Sequence, residues 1–290
     1  MTAKDLYQSV TDSIVKALEE GNLTPWRKGW QEGGAFFPLR HNGTAYRGVN
    51  TLLLWLSSHN RGFASPYFMT FKQAKEYGGC VRKGEKSTPI LWCEPVTKKA
   101  TADDGTESED RFWISKTYAV FNADQVEGLP DRFYARPVPT LDASQRIEHA
   151  EHFIMNTGAE IEHGGFAAYY MKLSDKISLP AFEFFHTPEA YYGTCLHELV
   201  HWTGANWRLA RFDHGKESRG EYAKEEIVAE LAACFLAAQL GIEPAVMPDH
   251  HAYLDFWIQA LREDARYIFR AASQAQAACD YLTDLQPKPE

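Results

Sequence analysis

The segment Thr187-Pro188-Glu189-Ala190-Tyr191-Tyr192-Gly193-Thr194-Cys195-Leu196-His197-Glu198-Leu199-Val200-His201-Trp202-Thr203-Gly204 carries H-E-x-x-H inside a full set of helix start and stop signals. Thr187 is a good N-cap, Pro188 suits the first helical turn and Gly204 suits a C-terminal stop. Residues four apart on a helix lie one above the other on one face. His197 and His201 therefore offer two imidazole nitrogens to one metal ion. Glu198 stands one position on, within reach of a water in an open coordination position. Two histidines, a third ligand from elsewhere and a carboxylate base are what a zinc hydrolase requires.

The third ligand is sought downstream. Ser218-Arg219-Gly220-Glu221 is a capping-box pattern that opens a second helix, running from Tyr222 to Leu240 and stopping at Gly241. Glu226 and Glu230 share one face of it. Ala233 and Ala237 continue that face with small side chains, as close packing on another helix requires. Acidic groups in so apolar a run cost stability unless they are paired or metal-bound. Glu226 is assigned as the third ligand, with Glu230 accepting the free N–H of one liganding histidine. The reverse assignment of these two stays open. Glu225, roughly 100° further round the helix, reads as a solvated charge. Tyr222 and His214 are the candidates for stabilising an oxyanion.

HELVHWTG followed by EEIVAE resembles the gluzincin branch of the zincin metallopeptidases, in which a glutamate on a later helix completes H-E-x-x-H. No H-E-x-x-H-x-x-G-x-x-H pattern is present, which sets the metzincin branch aside. The C-terminal half, with its closing run AYLDFWIQALREDARYIFRAASQAQAA, resembles the peptidase domain of plasmid and phage antirestriction proteins of the ArdC type. The zincin resemblance implies a small sheet behind the metal helix, whose edge strand pairs with a peptide substrate. Residues 167–180 are the candidate for that edge.

With 290 residues the chain is long enough for two domains, and 44% hydrophobic residues suffice for packed cores. Cys80, Cys93, Cys195, Cys234 and Cys279 are scattered, with no C-x-x-C pair, and read as reduced thiols of a cytoplasmic protein. Neither a signal-peptide pattern nor an apolar run long enough to span a membrane is found. The net charge of −9 conceals an asymmetry. Residues 1–99 carry 14 Lys and Arg against 8 Asp and Glu, whereas residues 100–290 carry 16 against 31. A basic first part joined to an acidic second part points to an anionic partner for the first.

In the first part, a helix is expected over Asp5–Glu20, with Leu6, Val10, Ile14, Val15 and Leu18 on one face. Pro25-Trp26-Arg27-Lys28-Gly29-Trp30 packs aromatic and basic residues into a loop, which suits bases stacked on indoles and cations on phosphates. A helix follows at Thr51–Ser58, a strand at 65–70 and a short helix at Phe71–Tyr77. Val81–Pro89 sets three cations around a glycine turn. The strand Ile90–Cys93 and a returning strand Arg111–Phe121 flank a charged tip at Lys98–Asp110. PWRKGW, YRGVNTLLLW, TFKQAKEYGG and VRKGEKSTPI together resemble the N-terminal single-stranded-DNA-binding domain of ArdC-like proteins. That resemblance implies a DNA surface drawn from Trp26, Arg27, Lys28, Trp30, Tyr46, Arg47, Lys72, Lys83 and Lys86.

A proline-rich stretch, Gly128–Thr140, marks a linker. Beyond it a helix is expected at Asp142–Asn156, strands at Ala159–His163 and within Ala167–Pro180, and one long last helix capped by Asp249. His163, beside two glycines, reads as a turn residue more readily than a ligand. The absence of G-x-x-x-x-G-K-[ST] argues against ATP use. The expected architecture is α+β in two domains. An α+β single-stranded-DNA-binding module (1–127) joins, through a linker (128–140), a zincin-like domain (141–290) that binds one divalent metal ion, zinc by its ligand set. The resemblance implies antirestriction during DNA transfer, by a peptidase with Glu198 as general base acting on a protein substrate. The alternative is a DNA-protecting protein whose metal site is structural.

Overall fold

A computed structural model describes residues 3–20, 37–101, 107–134, 143–212, 219–242 and 254–288. The first helix, α1 (Ala3–Glu19), buries Leu6, Val10, Ile14 and Leu18 at a spacing of four. Strand β1 (Leu39–Arg40) leads to α2 (Val49–Arg61), which ends at Gly62 in the left-handed region, φ 67°. Next come β2 (Tyr67–Met69) and α3 (Phe71–Glu76), whose start is fixed by a reciprocal capping box between Thr70 and Gln73. After β3 (Cys80–Val81), a long hairpin forms from β4 (Thr88–Thr101) and β5 (Glu107–Asn122). A short strand, β6 (Val126–Glu127), pairs antiparallel with β3. The main sheet of this part runs β1-β2-β5-β4. The ladder of β4 and β5 continues from Thr88 opposite Val120 to Thr101 opposite Glu107. Much of the segment expected to be an unpaired charged tip is therefore strand, because backbone pairing carries on where the apolar alternation stops.

The second part begins with α4 (Ala143–Asn156) and a three-stranded sheet of β7 (Glu160–His163), β8 (Tyr169–Met171) and β9 (Lys176–Leu179). The order is β7-β9-β8, with β9 parallel to β7 and antiparallel to β8. Of the segment expected to form the edge, only β8 lies at an edge; β9 is central. Among the described residues four α-helices follow: α5 (Pro188–Thr203), α6 (Arg219–Leu240), α7 (Leu254–Glu263) and α8 (Tyr267–Asp284). The single long last helix of the sequence reading is thus two. Its apolar stripe continues through the break, where the chain turns just ahead of α8 at Asp264, whose carboxylate accepts the Arg266 backbone N–H at 2.9 Å and pairs with Arg270 at 2.7 Å. Asp249, the expected cap, lies outside the described residues.

One hydrophobic core unites the helices of both parts. It includes Leu6, Val10, Ile14 and Leu18 of α1, Leu52 and Trp55 of α2, and the apolar residues of α5, α6, α7 and α8. Trp55 meets Phe235 at 5.6 Å between ring centroids, and the Thr11 hydroxyl donates to the Ala265 carbonyl. The sheet of the first part keeps two smaller clusters of its own, around Leu54, Phe68 and Val120 and around Met69, Val126 and Phe133. Among the described residues, no helix is long and apolar enough to cross a membrane.

Candidate metal centre

Helix α5 starts where its sequence demands. The Thr187 hydroxyl accepts the Ala190 N–H at 3.2 Å and Pro188 occupies the first turn. At the other end Gly204 is required by space, since a Cβ there would meet Phe212 at 2.7 Å. Helix α6 is buried along nearly its whole length, and its alanines at 229, 232, 233 and 237 let α5 and α8 approach closely.

These two helices bring His197, His201 and Glu226 together. The two Nε2 atoms are 3.1 Å apart. Glu226 Oε2 lies 3.3 Å from His197 Nε2, and Oε1 lies 3.2 Å from His201 Nε2. Ligand atoms roughly 2.0–2.1 Å from a tetrahedral zinc ion stand about 3.3 Å from one another, so the three groups already have the spacing an ion needs. All three are buried, as is Glu198. The electrostatics favour a cation. Burial disfavours a charged imidazole, yet the neighbouring carboxylates outweigh it. They hold His197 well above its usual range and raise His201 to about 9. Burial likewise opposes a charged Glu226, but His201 and His197 keep its carboxyl far below the usual carboxylate range. The donor set and its spacing fit one divalent ion.

The outward nitrogens also meet carboxylates. His197 Nδ1 is 3.3 Å from Glu230, and His201 Nδ1 is 3.4 Å from Glu225. Glu225 is thereby a correction. It is not solvated: its side chain is 12% exposed and is gripped by Arg211. Because α6 is buried on nearly all sides, a rotation of 100° from the metal face still ends inside the protein. Arg211 was missed as well. Its usable signal was the need of a buried acidic doublet for a cation. Tyr222 stacks near His201 at 6.4 Å and is 40% exposed, while His214 lies outside the described residues. His163 is not in the cluster; its Nε2 is 2.8 Å from the Tyr191 hydroxyl.

The expected DNA residues fare unequally. Trp26, Arg27, Lys28 and Trp30 lie outside the described residues. Lys83 and Lys86 are exposed on the glycine turn, and Lys72 is exposed beside Glu76. Tyr46 does not fit a nucleic-acid surface, whereas Arg47 is exposed. The Tyr46 ring is in the core, its hydroxyl donates to the Phe68 carbonyl, and burial pushes its pKa up to about 12. Arg47 reaches across to Asp280 of α8 in an ion pair.

Two family profiles match the chain: one described as the N-terminal domain of the anti-restriction factor ArdC at residues 4–121, the other as a zincin-like metallopeptidase at residues 148–274. The metal-free crystal structure of the antirestriction ArdC protein from the R388 plasmid superposes with a TM-score of 0.82 at 40% identity, covering 97% of each chain. The chain belongs to the ArdC antirestriction family. The Mn(II)-bound structure of the same plasmid ArdC gives a TM-score of 0.78. The protein y4eC of Sinorhizobium fredii is 37% identical over 97% of this chain and 92% of its own. A DNA primase TraC of Escherichia coli is also 37% identical, but this chain spans only 28% of its length. The ArdC relationship joins the two halves that the sequence motifs suggested separately.

Proposed function

We propose that this chain is an antirestriction protein that binds single-stranded DNA and carries a zinc-dependent metallopeptidase site, protecting incoming DNA during transfer. The observation that carries the metal half of this reading is the convergence of two imidazole nitrogens and a carboxylate at 3.1–3.3 Å in a buried setting. His197, His201 and Glu226 would hold the ion. Two imidazoles and one carboxylate suit zinc, and a related plasmid ArdC binds Mn(II). The ion would supply Lewis acidity for amide hydrolysis. Glu198, one residue after His197, is the proton acceptor: its carboxylate takes a proton from the attacking water and returns it to the leaving nitrogen. The DNA half rests on the basic first part, the exposed Lys72, Lys83 and Lys86, and the aromatic and basic residues Trp26, Arg27, Lys28 and Trp30 of the sequence. Buried thiols at Cys195, Cys234 and Cys279 suit a cytoplasmic setting.

One observation favours a second reading. His197, Glu198, His201 and Glu226 are only 3–7% exposed, which equally suits an ion that clamps α5 to α6 without meeting a substrate. The protein would then protect DNA by binding alone. Glu198→Ala separates the two readings. It is expected to keep metal content and oligonucleotide affinity, and to lose any peptide hydrolysis by at least about 100-fold. If DNA protection is also lost, proteolysis is the mechanism. If protection survives Glu198→Ala but disappears when Trp26, Arg27 and Lys28 are replaced together, binding suffices and the peptidase reading of the biological role fails.

A further inference from the structure

Arg211 sits in the turn that follows α5, with its guanidinium almost wholly buried at 4% exposure. Its Nε donates to both oxygens of Glu225 at 3.2 and 3.1 Å, and one Nη donates to Glu225 Oε1 at 2.7 Å. Two further donors go to the last turn of α5, to the Thr203 hydroxyl at 2.8 Å and to the Val200 carbonyl. The Arg211 backbone N–H is itself tied to the Gly204 carbonyl at 3.0 Å. One side chain therefore grips α6 through Glu225 and α5 through its C-terminal carbonyl end. A carboxylate held at two points by a planar fork does not follow a turning imidazole. The imidazole must come to it, and His201 Nδ1 stands 3.4 Å away.

We propose that Arg211 and Glu225 are positioning residues that fix the ring orientation of His201, so that its Nε2 is set toward the metal position before any ion binds. The inference rests on the ligand assignment above. Glu230 faces His197 in the corresponding way, 3.3 Å from its Nδ1. Each histidine thus has its own carboxylate, and that of His201 is anchored from a third segment of chain. Groups that orient a liganding histidine typically contribute about 10–100-fold to metal affinity.

The test measures Zn(II) affinity of the full chain by competition with a chromophoric chelator, together with the ¹⁵N signals of the His201 ring in the Zn(II)-loaded protein. Glu225→Gln is expected to weaken Zn(II) binding by about 10–100-fold and to shift the His201 Nδ1 signal, which loses its carboxylate partner. Wild-type affinity with an unchanged Nδ1 signal overturns the proposal. If Glu225→Gln fails to fold, the double variant Glu225→Gln with Arg211→Met removes the cation together with its partner charge. The same weakening is expected there, and wild-type affinity overturns the proposal. His201→Ala run alongside keeps the two levels apart. Unchanged affinity in His201→Ala defeats the ligand assignment itself, whereas weakened binding there with wild-type binding in Glu225→Gln defeats only the positioning role.

Discussion

The sheet of the first part and the α5–α6 pair of the second both bury polar side chains, but of different kinds. In the sheet region the buried polar residues are neutral: Ser65, Thr88, Asn122 and Gln125. Each is satisfied close at hand. Asn122 donates to the Ser65 carbonyl at 2.8 Å and accepts from the Asp124 N–H, and Ser65 donates to the Phe133 carbonyl. Between α5 and α6, beside the neutral Thr194 and Thr203, five ionisable side chains are buried: His197, Glu198, His201, Glu226 and Glu230. Neutral groups with local partners hold a chain in shape at little cost. A concentration of buried charge costs stability unless something balances it, and here the carboxylates outnumber the imidazoles. The contrast separates polar burial that builds the fold from polar burial that awaits a cation.

The largest expected effect tests that distinction directly. His201→Ala should remove the ion, lowering Zn(II) affinity by 100-fold or more, while far-ultraviolet circular dichroism of the metal-free protein stays native. Elemental analysis showing full occupancy in this variant would break the contrast. A smaller and opposite effect is expected in the sheet. Asn122→Ala should cost about 1–3 kcal/mol by leaving buried backbone groups unpaired, and urea unfolding should show it with metal content unchanged. Loss of metal in Asn122→Ala would mean that the two kinds of burial are not independent.

The smallest effect concerns acid. Asp175 turns the chain from β8 into β9 at φ 56° and is held by Arg208 at 2.8 and 2.6 Å, with the Tyr170 hydroxyl alongside at 2.8 Å. The Arg208 hydrogen bonds hold its carboxyl below the usual carboxylate range, against a smaller opposing effect of burial. A depressed folded-state pKa contributes stability above the unfolded value, roughly pH 4, and loses it as pH falls through the folded value. Asp175→Asn should therefore flatten the acid limb of the stability profile and leave stability near pH 7 lower. An unchanged acid limb would show that solvent screening cancels the pair.

The metal helix was legible because everything that defines it is local: a cap, a proline, two histidines four apart and a terminating glycine. Glu226 and Glu230 were legible because carboxylates in an apolar helix demand an explanation. Glu225 reads as solvated only if α6 has a wet face, and the packing of α5 and α8 around it shows that it has none there. Tyr46 follows the composition of a nucleic-acid surface, aromatic beside basic. Yet its ring packs in the core of the sheet, a contact between distant segments that no short window contains. The β4–β5 ladder passed beyond its apolar residues because the backbone hydrogen bonds that extend it are blind to side-chain polarity.

The seat of α1 has a consequence for how the protein is made. Its apolar stripe closes on helices at the opposite end of the chain, and the Thr11–Ala265 hydrogen bond spans 254 residues. During synthesis α1 emerges long before α7 and α8, the helices that cover it. Leu6, Val10, Ile14 and Leu18 stay bare until α7 and α8 leave the ribosome, an interval in which non-native association competes with folding. A fragment ending near Phe121 would keep that stripe uncovered for good. A chain cut short before α7 would lose the cover of α1 along with α7 and α8.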